Sequence, residues 1–176
     1  MKGKKVILRP VSLKDAPNFC RWLEDREVTK FLDRYDNPPT LKEEREYILE
    51  QRKKKDHIQF SIDSVDGAHI GVCSLMKISA KSKRAEFGIF IGDKKYWGQG
   101  CGTEACRLIV DYGFKKLRLH RVYLRVFGYN IRGIKSYQKV GFKIEGRLRE
   151  QVYRDGFYHD MIFMGILRNE YLKNKK

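Results

Sequence analysis

The segment Trp97-Gly98-Gln99-Gly100-Cys101-Gly102-Thr103-Glu104-Ala105 constrains this chain more than any other. Alternate glycines accept positive φ angles and carry no side chain, so successive amides of the turn can face one way. After the turn, Ala105, Leu108, Ile109 and Tyr112 recur at helical spacing, predicting a helix over about 103–117 whose first N–H groups lack intrahelical partners. Before it, Ala85, Phe87, Ile89 and Ile91 alternate with Glu86, Gly88, Phe90 and Gly92, the period of a strand over 85–92. A strand, a glycine turn and a helix start in that order form a cradle for an anion such as pyrophosphate.

Two nucleotide sites with similar turns are excluded by their surroundings. Gly100-x-Gly102-x-x-Ala105 formally matches the dinucleotide fingerprint, but there the glycines directly follow the first strand and an acidic residue ends the next one. Here Lys94, Lys95 and Tyr96 intervene, and the next strand ends in Arg125-Val126-Phe127. No Gly-Lys-Ser/Thr follows, which removes the P-loop.

Local signals place the other elements. A strand at 5–11 ends at Ser12, where Ser12-Leu13-Lys14-Asp15 has the form of a capping box, and the helix after it carries Phe19, Trp22 and Leu23 on one face. Pro17 lacks an amide hydrogen, so that helix is expected to bend or to start late. Thr40-Leu41-Lys42-Glu43 is a second capping box, opening a charged helix to about Lys54. Strands at 58–65 and 69–78 flank Asp66-Gly67, a dipeptide suited to a hairpin turn. Val122, Leu124 and Val126 mark another strand, Asn130 and Gly141 bracket a short helix, and two final strands flank Asp155-Gly156.

The chain has 176 residues, 41% of them hydrophobic, with no repeat or linker, so residues 1–176 are read as one domain with one core. Cys20, Cys73, Cys101 and Cys106 form no Cys-x-x-Cys pair, as expected of reduced thiols in a cytoplasmic protein. His57, His69, His120 and His159 lack zinc-ligand spacing, and no metal is expected. No apolar run suits export or membrane spanning. The net charge of +16 draws anions, whether nucleic acid or a phosphorylated cofactor, without saying which.

At the glycine turn the sequence resembles the GCN5-related N-acetyltransferases (GNAT), whose loop reads Gln/Arg-x-x-Gly-x-Gly/Ala before a helix. Gly100 and Gly102 fill its glycine positions, while Trp97 stands at the Gln/Arg position. The amides that do most of the phosphate binding survive this departure, and it puts one side-chain contact in question. Arg84-Ala85-Glu86-Phe87, Asp111-Tyr112-Gly113-Phe114, Asn130, Tyr137-Gln138-Lys139-Val140-Gly141-Phe142 and Glu145-Gly146 extend the resemblance over residues 5–170, toward the branch containing spermidine acetyltransferases and ribosomal-protein N-terminal acetyltransferases.

The resemblance implies an α/β (α+β) fold, a mixed sheet of about seven strands with about four helices. It implies acetyl-CoA wedged between two splayed parallel strands, with backbone of Phe90 and Ile91 on the pantetheine arm. Trp97, Gly98, Gln99, Gly100, Cys101, Gly102 and Thr103 would surround the pyrophosphate, and Asn130 the far side of the arm. Tyr137 takes the position of a proton donor to the leaving thiolate, although its spacing with Ile134 and Val140 equally suits helix packing. Glu86 is the candidate base toward the ammonium, directly or through water. Cys101, with no histidine or acid to activate it, is read as a small loop residue.

Acceptor readings stay open. The C-terminal segments look closest to polyamine acetyltransferases, and the stretch around Asp33 and Asp36 offers carboxylates to a cation. A basic protein repels polyamines at long range and suits a ribosome-bound substrate, so a ribosomal-protein N-terminus, with ribosome association, is the rival. An amino sugar, and an RNA-binding module without catalysis, complete the set. A homo-oligomer is a possible assembly.

Overall fold

The computed structural model describes residues 1–32 and 37–173. Its elements run β1 (Val6–Pro10), α1 (Ala16–Glu24), α2 (Arg26–Thr29), α3 (Leu41–Lys53), β2 (Ile58–Ser64), β3 (His69–Ser79), β4 (Arg84–Ile91), α4 (Cys101–Lys115), β5 (Arg121–Phe127), α5 (Ile131–Val140), β6 (Lys143–Arg154), β7 (Phe157–Leu167) and α6 (Arg168–Lys173). The strands form one seven-stranded sheet in the order β1-β2-β3-β4-β5-β7-β6. All neighbours pair antiparallel except β4 and β5, which are parallel.

Both capping boxes form. That of Ser12 opens a short 3-10 turn, Leu13–Asp15, rather than α1 itself. Helix α1 therefore starts late, with Pro17 in its first turn, where the missing N–H would have had no partner anyway. Thr40 caps α3, its hydroxyl accepting from the Glu43 amide while the Glu43 carboxylate accepts from the Thr40 amide. Two helices exceed the four expected: α2 and α6 are too short for apolar periodicity to reveal them. Helix α4 begins at Cys101, two residues before the spacing suggests, because Gly100 supplies the left-handed residue from which it starts.

The sheet is covered on both faces. Ala105, Ile109 and Phe114 of α4 pack with Ile62, Leu75, Val122, Leu124 and Met164 on one side, joined by Val140 of α5. Phe19 and Trp22 of α1 and Ile48 of α3 pack with Val72 on the other. Among the described residues no helix is long and apolar enough to cross a membrane.

One group in this second layer opposes the fold. Glu44 of α3 is 7% exposed, and no cation or donor meets it among the described residues. Burial alone pushes its carboxyl up to about 7. The native state thus holds this proton more tightly than the unfolded chain, so the stability tied to it is complete below the ordinary carboxylate range and is lost as pH rises through about 7. Glu44→Gln should stabilise the protein at pH 8 by on the order of 2 kcal/mol, while near pH 4.5 variant and parent should melt together. Thermal melts at the two pH values check this.

Candidate active site

The parallel ladder between β4 and β5 is short. Arg84, Ala85 and Glu86 pair with Arg121, Val122 and Tyr123, and pairing stops there although β4 continues to Ile91 and β5 to Phe127. Past Glu86 the strands part, and a cleft of ≈ 520 Å³ lies between them, lined by the outer half of β4, the glycine turn and the first turns of α5. Gly92 donates to Ile70 on β3 at 2.9 Å. Peptide groups alternate in direction along a strand, so those of Phe90 also face β3, whereas those of Ile89 and Ile91 face the opening. The Phe90 carbonyl oxygen indeed lies 2.4 Å from where a Cβ on Gly71 would sit. Of the two backbone positions expected to meet the pantetheine arm, Ile91 faces the opening and Phe90 faces β3, while Ile89 also faces the opening. Side-chain alternation reports the two faces of a sheet; it does not tell which neighbouring strand a peptide group addresses.

The turn is built as the glycines suggest. Gly98 and Gly100 adopt φ of +76° and +85°. The first backbone bond of α4 runs from Glu104 N–H to Gly100 O at 3.0 Å, and Gly100 supplies no side-chain cap. The amides of Cys101, Gly102 and Thr103 therefore have no intrahelical partner, at the end of the helix where the macrodipole favours an anion. Glu104, an acid in this same first turn, faces the other way and accepts from the amides of Lys4, Lys5 and Val6 at 3.0, 2.6 and 2.9 Å. Its charge is spent on fixing the N-terminal arm.

Not every residue of the turn reaches the cleft. The Gln99 side chain donates to the Lys95 carbonyl at 2.6 Å, and the Gln99 backbone carbonyl accepts from Lys5 Nζ at 2.7 Å. Cys101 is 4% exposed in the core beneath α4, and burial pushes its thiol up, which suits a packing role. Trp97 lines the cleft, yet its indole N–H donates to the Ile91 carbonyl at 2.7 Å and ties the turn to the end of β4.

On the opposite wall, α5 carries Asn130, Ser136 and Tyr137. Asn130 Oδ1 caps the helix by accepting from the Gly133 amide at 2.9 Å, which leaves its NH₂ group for a ligand. Ser136 and Thr103 share a hydrogen bond of 2.5 Å between their hydroxyls, joining α5 to the first turn of α4. The Tyr137 ring packs edge-on against Phe87 and Phe142 at centroid distances of 6.0 and 6.2 Å. Its hydroxyl has no hydrogen-bond partner among the described residues, and burial pushes the phenol above its usual value, so it keeps its proton at neutral pH. The ring can therefore pack in the core while the hydroxyl stays protonated.

Glu86 stands where β4 and β5 part, 4% exposed. Lys77 Nζ donates to one carboxylate oxygen at 2.7 Å and Arg125 Nε to the other at 2.8 Å. Burial by itself raises the carboxyl, but these two cations outweigh it and hold Glu86 below the usual range. It is ionised at neutral pH and is a weak base. Lys77 reaches it from an irregular stretch of β3, between Met76 and Ser79, where its own φ is +49°. Nothing in a period-2 strand pattern signals such a bulge. Arg125 carries a weak signal, as the charged residue among Val122, Leu124 and Val126.

Asp33 and Asp36 lie outside the described residues. In the same acidic stretch, Asp25 and Glu27 both bind Lys94 Nζ, at 2.7 and 2.6 Å. Among the described residues no group of three His, Cys, Asp or Glu side chains could hold a metal ion.

Comparison with known proteins agrees with this geometry. Residues 5–143 match the family described as Acetyltransferase (GNAT) domain. The chain is 32% identical over 157 residues to the spermidine N(1)-acetyltransferase of Escherichia coli K12, an alignment covering 88% of this chain and 76% of that protein. It is 27% identical over 174 residues to a Bacillus subtilis protein named as ribosomal N-acetyltransferase YdaF, covering 96% and 94%. The crystal structure of spermidine N-acetyltransferase from Vibrio cholerae in complex with CoA and spermine superposes with a TM-score of 0.88 at 26% identity, covering 97% of this chain and 99% of that one.

Replacing Gly100 with Val should abolish most of the thermal stabilisation that acetyl-CoA gives the parent, because a β-branched residue at φ +85° forces the cradle to refold. An equal rise in melting temperature for both proteins would place the anion elsewhere.

Proposed function

The chain belongs to the GNAT acetyltransferase family, and from that premise we propose that it transfers the acetyl group of acetyl-CoA to a primary amine of a polyamine. Bound acetyl-CoA supplies the activated thioester. The residues present fit it: the peptide group of Ile89 and the N–H of Ile91, whose carbonyl is taken by Trp97, face the opening as a strand edge for the pantetheine arm, and the amides from Gly98 to Thr103 form an anion cradle. The Asn130 NH₂ group meets the arm from α5. Holding amine and thioester in one cleft favours direct attack, with no acyl-enzyme required.

Tyr137 holds its proton until the thiolate leaves. Glu86 provides the fixed negative charge toward which an ammonium is drawn, and it takes the amine's proton through a water rather than as a strong base in its own right. The observation that carries the acceptor reading is this ionised carboxylate at the parting of β4 and β5, in a chain whose relatives include proteins named for spermidine. Asp33 and Asp36 are proposed to hold the distal ammonium groups.

A second reading, acetylation of a ribosomal protein's N-terminus, draws support from the net charge of +16 and from the likeness to YdaF. Thiol release from acetyl-CoA, followed across polyamines, amino sugars and basic N-terminal peptides, separates the readings. Neutralising Asp33 and Asp36 together should raise KM for spermidine about tenfold with little change in acetyl-CoA affinity; unaltered polyamine kinetics would favour the peptide acceptor.

Tyr137→Phe removes a hydroxyl with no hydrogen-bond partner among the described residues, so the fold and acetyl-CoA affinity should persist while kcat falls by on the order of 10²-fold. Turnover at the parent rate, under conditions where chemistry limits, would leave Tyr137 a packing residue only.

A further inference from the structure

Trp97 occupies the position at which the family loop carries Gln or Arg, and its indole N–H is already given to Ile91. The turn therefore brings no polar side chain of its own from that position toward the phosphates. Arg132, in the first turn of α5, is placed to supply one. Its guanidinium carbon lies 4.0 Å from the centroid of the Trp97 ring, with Phe31 on a longer contact of 5.8 Å. Both Trp97 and Arg132 line the cleft, and they stem from opposite walls, one following β4 and the other β5. No carboxylate pairs with Arg132 among the described residues, whereas Arg9, Arg121 and Arg147 are each neutralised by an acid.

An aromatic face engages the plane of a guanidinium and leaves its in-plane N–H donors free, in the fork that matches two oxygens of a phosphate. The same cleft is lined by Gly102 and Thr103, whose amides, with that of Cys101, have no intrahelical partner. We propose that Arg132, placed over the Trp97 ring, is the side chain that binds the pyrophosphate of CoA, so that the Gln/Arg contact given up in the loop is made from α5 across the cleft. Trp97 is then a positioning residue for that guanidinium. This assignment rests on the acetyl-CoA reading above.

The test compares CoA, dephospho-CoA and pantetheine binding to the full-length parent and to Arg132→Gln, by calorimetry for the first two and NMR titration for the third. Arg132 is exposed on α5, and the melting temperature of the variant should match the parent's. Loss of a charge-assisted bidentate contact should weaken CoA about 10- to 100-fold. Dephospho-CoA, which keeps the pyrophosphate, should weaken by the same factor, and pantetheine, which lacks it, should bind both proteins equally. Arg132→Lys, which keeps the charge but not the fork, should fall between. Unchanged CoA affinity overturns the proposal. So does an equal loss for pantetheine, which would mean a distorted cleft, or a loss confined to CoA, which would mean the 3′-phosphate. If the parent itself fails to bind CoA, the acetyl-CoA reading falls first and this assignment with it.

Discussion

The hydrogen-bond ladder between β4 and β5 ends at Glu86 and Tyr123, and most of what this protein can do follows from that interruption. A gap in the middle of a sheet exposes backbone groups that would otherwise be paired, and such groups are costly unless water or a ligand meets them. Here the cost is confined to a few peptide groups of β4, because β3 holds the other edge of that strand and the helices on both faces keep the sheet together beyond the gap. What remains is a cleft with a strand edge on one wall and a helix on the other. The exposed strand edge offers a ligand the same peptide groups that it would offer a neighbouring strand.

Electrostatics sort the ends of this cleft. At the glycine turn the free amides and Arg132 are positive, and Glu104, the acid in the first turn of α4, is turned away to bind three amides of the N-terminal arm. At the parting of the strands a single negative charge persists only because Lys77 and Arg125 offset the burial of Glu86. Removing either cation would leave a buried carboxylate under-compensated, so the site's charge and the local geometry of β3 are coupled through the bulge at Lys77. The net charge of +16 draws an anionic cofactor toward the protein, and such long-range attraction is screened over about 10 Å by salt.

The strands and longer helices, both capping boxes and the left-handed glycines of the turn were legible from residue patterns, because each depends on neighbours within a few positions in the chain. Helices α2 and α6 escaped that reading for want of length. The direction of the Phe90 peptide escaped it for a different reason: side-chain alternation is blind to rotation of the hydrogen-bonding plane. Cys101 and Gln99 belong to the glycine turn by sequence, yet the chain turns one into the core and the other back onto Lys95.

By itself the sequence determined that this chain has a glycine turn between a strand and an amphipathic helix, a phenol on a later helix, and the element order of an α/β acetyltransferase. Only the tertiary structure decided that Lys77 and Arg125 converge on Glu86, that Ile89 rather than Phe90 faces the opening, and that Arg132 lies over Trp97. The division has a physical reason. Backbone conformation is set by local sterics and hydrogen bonds that a short window of residues carries, whereas the charge and reach of a site are set by side chains brought together from strands and helices far apart in the chain.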